Sequence, residues 1–231
     1  MTPPIFPYGP PVALAPNLWQ VTGSLAIPVP RNMTLVRGAS GGLLLYSVIA
    51  MHEDGLRALE ALGRPAVMVI PHRRHQMDAP FYKARYPQLR VLAADPSQVR
   101  GVAVDGDLSE LSGQGLSEYG VEAYVLPSNI QEDVVLDVRL ADGHALCICE
   151  SLGNVSMSGW LGLLFRVLGP PGGGFGIARA VRLRELRDVT QLRAWLLEQA
   201  ERTDLHCLLF GHGNPLTADI PGALRRAAHQ L

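Results

Sequence analysis

Three stretches of this chain are too continuously apolar to alternate between a buried and an exposed face. They constrain the fold more than any other feature. Residues 43–49 (Leu-Leu-Leu-Tyr-Ser-Val-Ile), 66–70 (Ala-Val-Met-Val-Ile) and 205–210 (Leu-His-Cys-Leu-Leu-Phe) read as strands buried on both faces, so each needs a covering layer on either side. Between the first two the period changes. From Glu53, Leu56, Leu59 and Leu62 recur at helical spacing until Gly63 and Pro65 stop the helix. After residue 70, Asp78 stands as N-cap to a second helix with Pro80 in its first turn, and residues 89–93 form another strand. With shorter strands at 17–23 and 33–37, this gives a strand-helix-strand-helix-strand unit of αβ type.

The middle of the chain reads as strands without helices, at 122–126, 134–140 and 145–149, the last two joined by the Asp142-Gly143 hairpin signal. Residues 153–176 are glycine-rich, with Pro170-Pro171-Gly172-Gly173-Gly174 at the tip, and are expected to form a mobile loop or lid holding one short helix at 160–167. Asp188 with Gln191 resembles a capping box, and Leu192, Trp195, Leu196 and Gln199 fall on one helical face. A final helix is expected at 219–229 with Pro221 in its first turn. The proline-rich opening, residues 1–16, is read as an extended arm in which regular structure has not begun, and 17–231 as a single domain.

Composition narrows the function classes. A chain of 231 residues that is 48% hydrophobic closes one sizeable core, and 20 basic against 21 acidic side chains lack the footprint of nucleic-acid or anionic-membrane binding. Lys83 is the only lysine. The apolar stretch 160–168 is interrupted by Arg166 and falls short of the roughly 20 residues of a membrane span. The first thirty residues lack the basic region of a signal peptide, so a cytoplasmic protein is expected. Cys147, Cys149 and Cys207 are odd in number and read as small buried apolar residues, not as a disulfide framework or a zinc site. The expected partner is a small molecule, with a homodimer as the oligomeric option.

The chemistry collects just past strand ends, where open αβ sheets place ligands. His72 and His75 follow the strand at 66–70, Glu150 follows 145–149, and His212 sits in Gly211-His212-Gly213 after 205–210. Neutral imidazole and carboxylate suit zinc, iron or manganese. The same residues have ordinary uses: a strand-end histidine caps a helix or bonds a carbonyl, and a strand-end glutamate pairs with an arginine.

The order of these features resembles the metallo-β-lactamase superfamily over roughly residues 17–230. The resemblance rests on residues 32–37, 42–47, Leu62-Gly63, Val69-Ile70-Pro71-His72 with His75, the hairpin ending in an acid, and the late Gly-His-Gly. It implies a four-layer αβ/βα sandwich of the α/β class with a metal pocket along one edge of two sheets. The superfamily's His-x-His-x-Asp-His motif is reduced here: in register, His72 is followed by Arg74, Gln76 and Met77 at the other ligand positions. No histidine stands near Leu126-Pro127-Ser128-Asn129, Glu150 replaces the bridging aspartate, and Leu45-Tyr46-Ser47 replaces an Asp-Thr-Gly turn. The survivors suffice for one metal, not two. The resemblance thus implies a metal-dependent hydrolase with a mononuclear site of His72, His75, Glu150 and His212. One divalent ion is expected, zinc first, with iron or manganese as substitutes. Asp78 is the first candidate for proton acceptor, and Arg73 and Arg74 are candidates for binding an anionic substrate. The alternative is a metal-free pseudoenzyme that keeps the pocket as a binding or scaffold site, since a cationic Arg74 at a ligand position repels a metal ion.

Overall fold

A computed structural model describes residues 3–26, 29–107, 114–129, 132–157, 159–170 and 174–231. The first sheet has the order β1 (Val12–Ala15), β2 (Leu18–Gly23), β3 (Arg31–Arg37), β4 (Gly42–Tyr46), β5 (Arg64–Ile70) and β6 (Arg90–Ala93). Its first four strands are antiparallel, whereas β4, β5 and β6 run parallel, linked through α1 (Glu53–Glu60) and α2 (Ala79–Arg85). The second sheet is assembled from β7 (Val121–Val125), β8 (Val134–Arg139), β9 (His144–Ile148) and β12 (Leu205–Phe210) in the order β12-β9-β8-β7. The Asp142-Gly143 turn joins β8 to β9 as an antiparallel hairpin, and β12 lies parallel to β9.

Each fully apolar strand is covered on both faces. Leu44, Tyr46, Val67 and Val69 of the first sheet pack in one core with Leu136, Val138, Cys147 and Leu209 of the second. The alternate residues Leu43, Leu45, Met68 and Ile70 pack with Leu56 and Leu59 of α1 and Tyr82 of α2. On the far side, Leu146, Ile148, Leu208 and Phe210 pack with Leu192 and Leu196 of α5 (Val189–Ala200) and Leu224 of α6 (Ile220–His229). The result is a four-layer αβ/βα sandwich. The face of α5 marked by Leu192, Trp195, Leu196 and Gln199 is buried, and Asp188 caps the helix by accepting the Thr190 amide at 2.9 Å. The three cysteines are free and buried between the sheets.

Four details depart from expectation. The strand expected at 43–49 ends at Tyr46, because Ser47 adopts φ +61° and turns the chain out of the ladder. The arm expected at 1–16 contains β1, which pairs with β2, and Tyr8 bridges Gly23; prolines at 10, 11 and 16 flank this strand, and a sheet edge tolerates them. The expected lid is closed at its base by a ribbon of β10 (Gly153–Val155) with β11 (Gly174–Gly176) around α3 (Gly159–Leu168), while residues 171–173 at its tip lie outside the described residues. A helix that no sequence signal announced, α4 (Arg179–Glu185), follows. Among the described residues, no helix is long and apolar enough to cross a membrane.

A polar contact from Tyr46 is among the ties between the two sheets. The buried Tyr46 hydroxyl of β4 donates to the Val134 carbonyl of β8 at 2.6 Å. Tyr46→Phe removes this donor and leaves a buried carbonyl unsatisfied, so the urea midpoint should fall by the equivalent of about 1–3 kcal/mol at unchanged m-value.

Candidate metal centre

Face-to-face packing brings the ends of β5, β9 and β12 to one edge. In the parallel β9–β12 pair Ile148 lies opposite Phe210, and Glu150 and His212 each follow two residues later. His212 is held by glycines on both sides. A Cβ at Gly213, which has φ +91°, would collide with the Asn154 carbonyl, and one at Gly211 would meet the Cys149 carbonyl. From the other sheet Asn32 on β3 holds the same turn, its amide donating to the carbonyls of Phe210 at 2.8 Å and Gly213 at 2.6 Å.

Three side chains converge there: His75, Glu150 and His212 offer ligand atoms all within 4.8 Å of one another. His212 Nδ1 lies 2.7 Å from the Pro30 carbonyl, which can only accept, so Nδ1 carries the proton and Nε2 keeps its lone pair. That Nε2 faces Glu150 Oε2 at 3.8 Å. His75 sits on a 3-10 turn, Arg73–His75, with Nδ1 held 2.7 Å from Ser47 Oγ and Nε2 3.7 Å from Glu150 Oε1. Both separations exceed hydrogen-bonding distance. They are close to the roughly 3.4 Å expected between two donors that each lie about 2.0–2.2 Å from a tetrahedral zinc. Ring nitrogens anchored at Nδ1 with Nε2 turned inward are the arrangement in which protein imidazoles hold metals.

The electrostatics point the same way. Burial pulls the His75 pKa down to about 4, so the ring is neutral at neutral pH. Burial opposes ionisation of Glu150, but the neighbouring His75, His212 and His72 outweigh it and hold its pKa well below the usual carboxylate range. Two imidazoles and one carboxylate form the donor set of a His₂Glu zinc site with open coordination positions. The residues present therefore fit a single divalent ion.

The other expected site residues lie outside this trio. His72 caps the 3-10 turn, its Nδ1 accepting the Arg74 amide at 3.2 Å, and its buried Nε2 lies 3.5 Å from Glu185 Oε2. Arg74 reaches from Glu185, with which it forms an ion pair, to Glu150 Oε1 at 3.5 Å. Arg73 lines a small separate cavity with Asp95, Gln98 and Glu132. Asp78 caps α2 by position but not by its side chain, since Oδ2 accepts from Arg31 Nη1 at 2.8 Å and from the Ala50 amide at 3.1 Å.

Two further acids matter that the sequence did not mark. Glu185, on α4, is buried at 1% exposure beside His72 and Arg74, and is hidden in the sequence among the arginines of residues 179–187. Asp133, fully buried, accepts the amides of Cys149, Glu150 and Ser151 at 3.3, 3.0 and 2.7 Å, and so fixes the backbone that carries Glu150. The only signal for Asp133 was an acid placed directly before an apolar strand.

FIM-1 from Pseudomonas aeruginosa, in its mono-zinc form, aligns with a TM-score of 0.64 at 14% identity over 100% of this chain and 98% of its own. The chain has the metallo-β-lactamase fold. Metallo-β-lactamases from Pontibacter korlensis (TM-score 0.65, 11% identity, 96% of this chain and 99% of that one) and Erythrobacter litoralis (0.61, 15%, 96% of each) are similar to it in the same way. No family model and no curated protein matches the sequence. At these identities the likeness is one of metallo-β-lactamase architecture; the ligand set comes from this chain's own residues.

Asp133→Ala should cost about 3–5 kcal/mol in a denaturation experiment by leaving three buried amides unpaired, and Asp133→Asn, which keeps an acceptor, should cost distinctly less.

Proposed function

We propose that this chain is a metal-dependent hydrolase with a mononuclear centre held by His75, Glu150 and His212, zinc being the ion, acting on a small molecule. The observation that carries the reading is the convergence of two anchored imidazoles and one carboxylate at the edge shared by the two sheets. A divalent ion held there supplies Lewis acidity to a carbonyl or phosphoryl oxygen and acidifies water towards neutral pH. Pro30 and Ser47 fix the two rings, Asp133 fixes the Glu150 backbone, and Arg74 limits the swing of the Glu150 carboxylate. His72 acts one step back, setting the 3-10 turn that presents His75. Asp78 holds Arg31, which also donates to the Val48 carbonyl at 2.6 Å and braces the loop after β4 where Ser47 lies.

The metal-free alternative draws on one observation, the Arg74 guanidinium 3.5 Å from Glu150 Oε1. Elemental analysis of protein purified without chelator or histidine tag separates the two. The metal reading predicts about one equivalent of zinc in wild type, less than a tenth of that in His75→Ala and in His212→Ala, and near wild-type content in His72→Ala. Protein that takes up no metal even in excess zinc would support the scaffold reading.

A further inference from the structure

Beside the trio lies a cavity of about 140 Å³ that the metal reading does not explain. Glu150 and His212 form one end, and the remaining wall comes from Leu152, Val155, Pro170, Ala178 and Val181, with Val29 and two glycines completing it. Among the described residues, none of its lining groups is a Lys or Arg. Arg74 is taken up by Glu150 and Glu185, and Arg73 belongs to a different cavity. No cation lines the cavity to balance an anionic group, and the aliphatic wall offers a polar or charged group no partner. An apolar cavity of about 150 Å³ holds a benzene ring, so this one takes roughly six carbons.

From this we infer that the cavity is a binding site for the aliphatic chain of an uncharged acyl compound, an ester or amide whose carbonyl end rests beside Glu150 and His212. The inference rests on the proposed hydrolase reading only for what happens to the carbonyl. Most of the wall comes from the turn after β9, the ribbon strands β10 and β11, and α4 with the residue before it. This gives the excursion at 153–176 and the helix that follows it a task the metal ligands do not require. The class of substrate is thus set by α4 and the ribbon, while the ligands are set by the sheets.

The test is the binding of butyramide, hexanamide and decanamide by ligand-observed NMR, with succinate as the anionic comparison. The series is run on zinc-treated and on chelator-treated protein. The expected result is a dissociation constant that falls about threefold to fourfold per added methylene up to hexanamide and then levels, with succinate the weakest ligand of the chelator-treated protein. Ala178→Phe, which fills the cavity from the start of α4, should abolish the length dependence at unchanged zinc content. Val181→Ala should move the plateau to longer chains, and it keeps the test available if the larger residue disturbs folding. Equal binding of all three amides, or tighter binding of succinate to the chelator-treated protein, would overturn the proposal. Because the series is also read without metal, a protein that binds no zinc but keeps the chain-length dependence would refute the hydrolase reading and uphold the pocket.

Discussion

Everything at the functional edge depends on the burial of one sheet against the other. Tyr46, Val67 and Val69 can leave water only if Leu136, Val138, Cys147 and Leu209 cover them, and that packing fixes where β5, β9 and β12 end. None of His75, Glu150 and His212 lies in the interface, yet the interface sets the spacing between them. His75 comes from the first sheet, and Glu150 and His212 from the second. Relative sliding of the sheets by an ångström would spoil the approach of His75 to Glu150 before it cost much apolar contact. The polar ties across the gap, Tyr46 to Val134 and Asn32 to the turn of His212, oppose that motion. They are few, and each is directional where the apolar contacts are not.

Around the trio, the side chains divide into those that turn lone pairs inward and those that satisfy charge left over. The Pro30 carbonyl, Ser47 and Asp133 belong to the first group, and each acts on a member of the trio or its backbone. Glu185, Arg74 and His72 belong to the second. Their mutual pairing lets α4 bring a buried carboxylate close to the site without leaving it unopposed. The same helix supplies Val181 to the apolar cavity, so docking of α4 joins the charged and aliphatic sides of the site. This is an economical use of the segment that departs most from regular sheet and helix.

The layers were legible in the sequence because a strand apolar on both faces leaves a periodic trace, as residues 66–70 and 205–210 do. The face of α5 was legible for the same reason. Glu150 and His212 could be found because they stand immediately past such strands. The sequence offered both His72 and His75 as ligands, and spacing could not show that the two rings part. They are parted by a backbone bond, from the Arg74 amide to His72 Nδ1, that closes a 3-10 turn and carries His75 round to the edge. Asp78 looked like a cap and a candidate base, but its carboxylate is engaged by an arginine 47 residues earlier. Glu185 and the β10–β11 ribbon left no pattern at all, since three-residue strands and a single acid in an arginine-rich helix carry no period. What the sequence hid was set by long-range polar contacts, which have no signature in local order.

In the proposed centre His75, not His72, joins Glu150 and His212 around one metal ion. Crystals grown with zinc and measured on either side of the zinc absorption edge test it most directly. The expected result is a single anomalous peak within bonding distance of His75 Nε2, His212 Nε2 and the Glu150 carboxylate. A peak beside His72 and Glu185, or none at all in protein saturated with zinc, would contradict it.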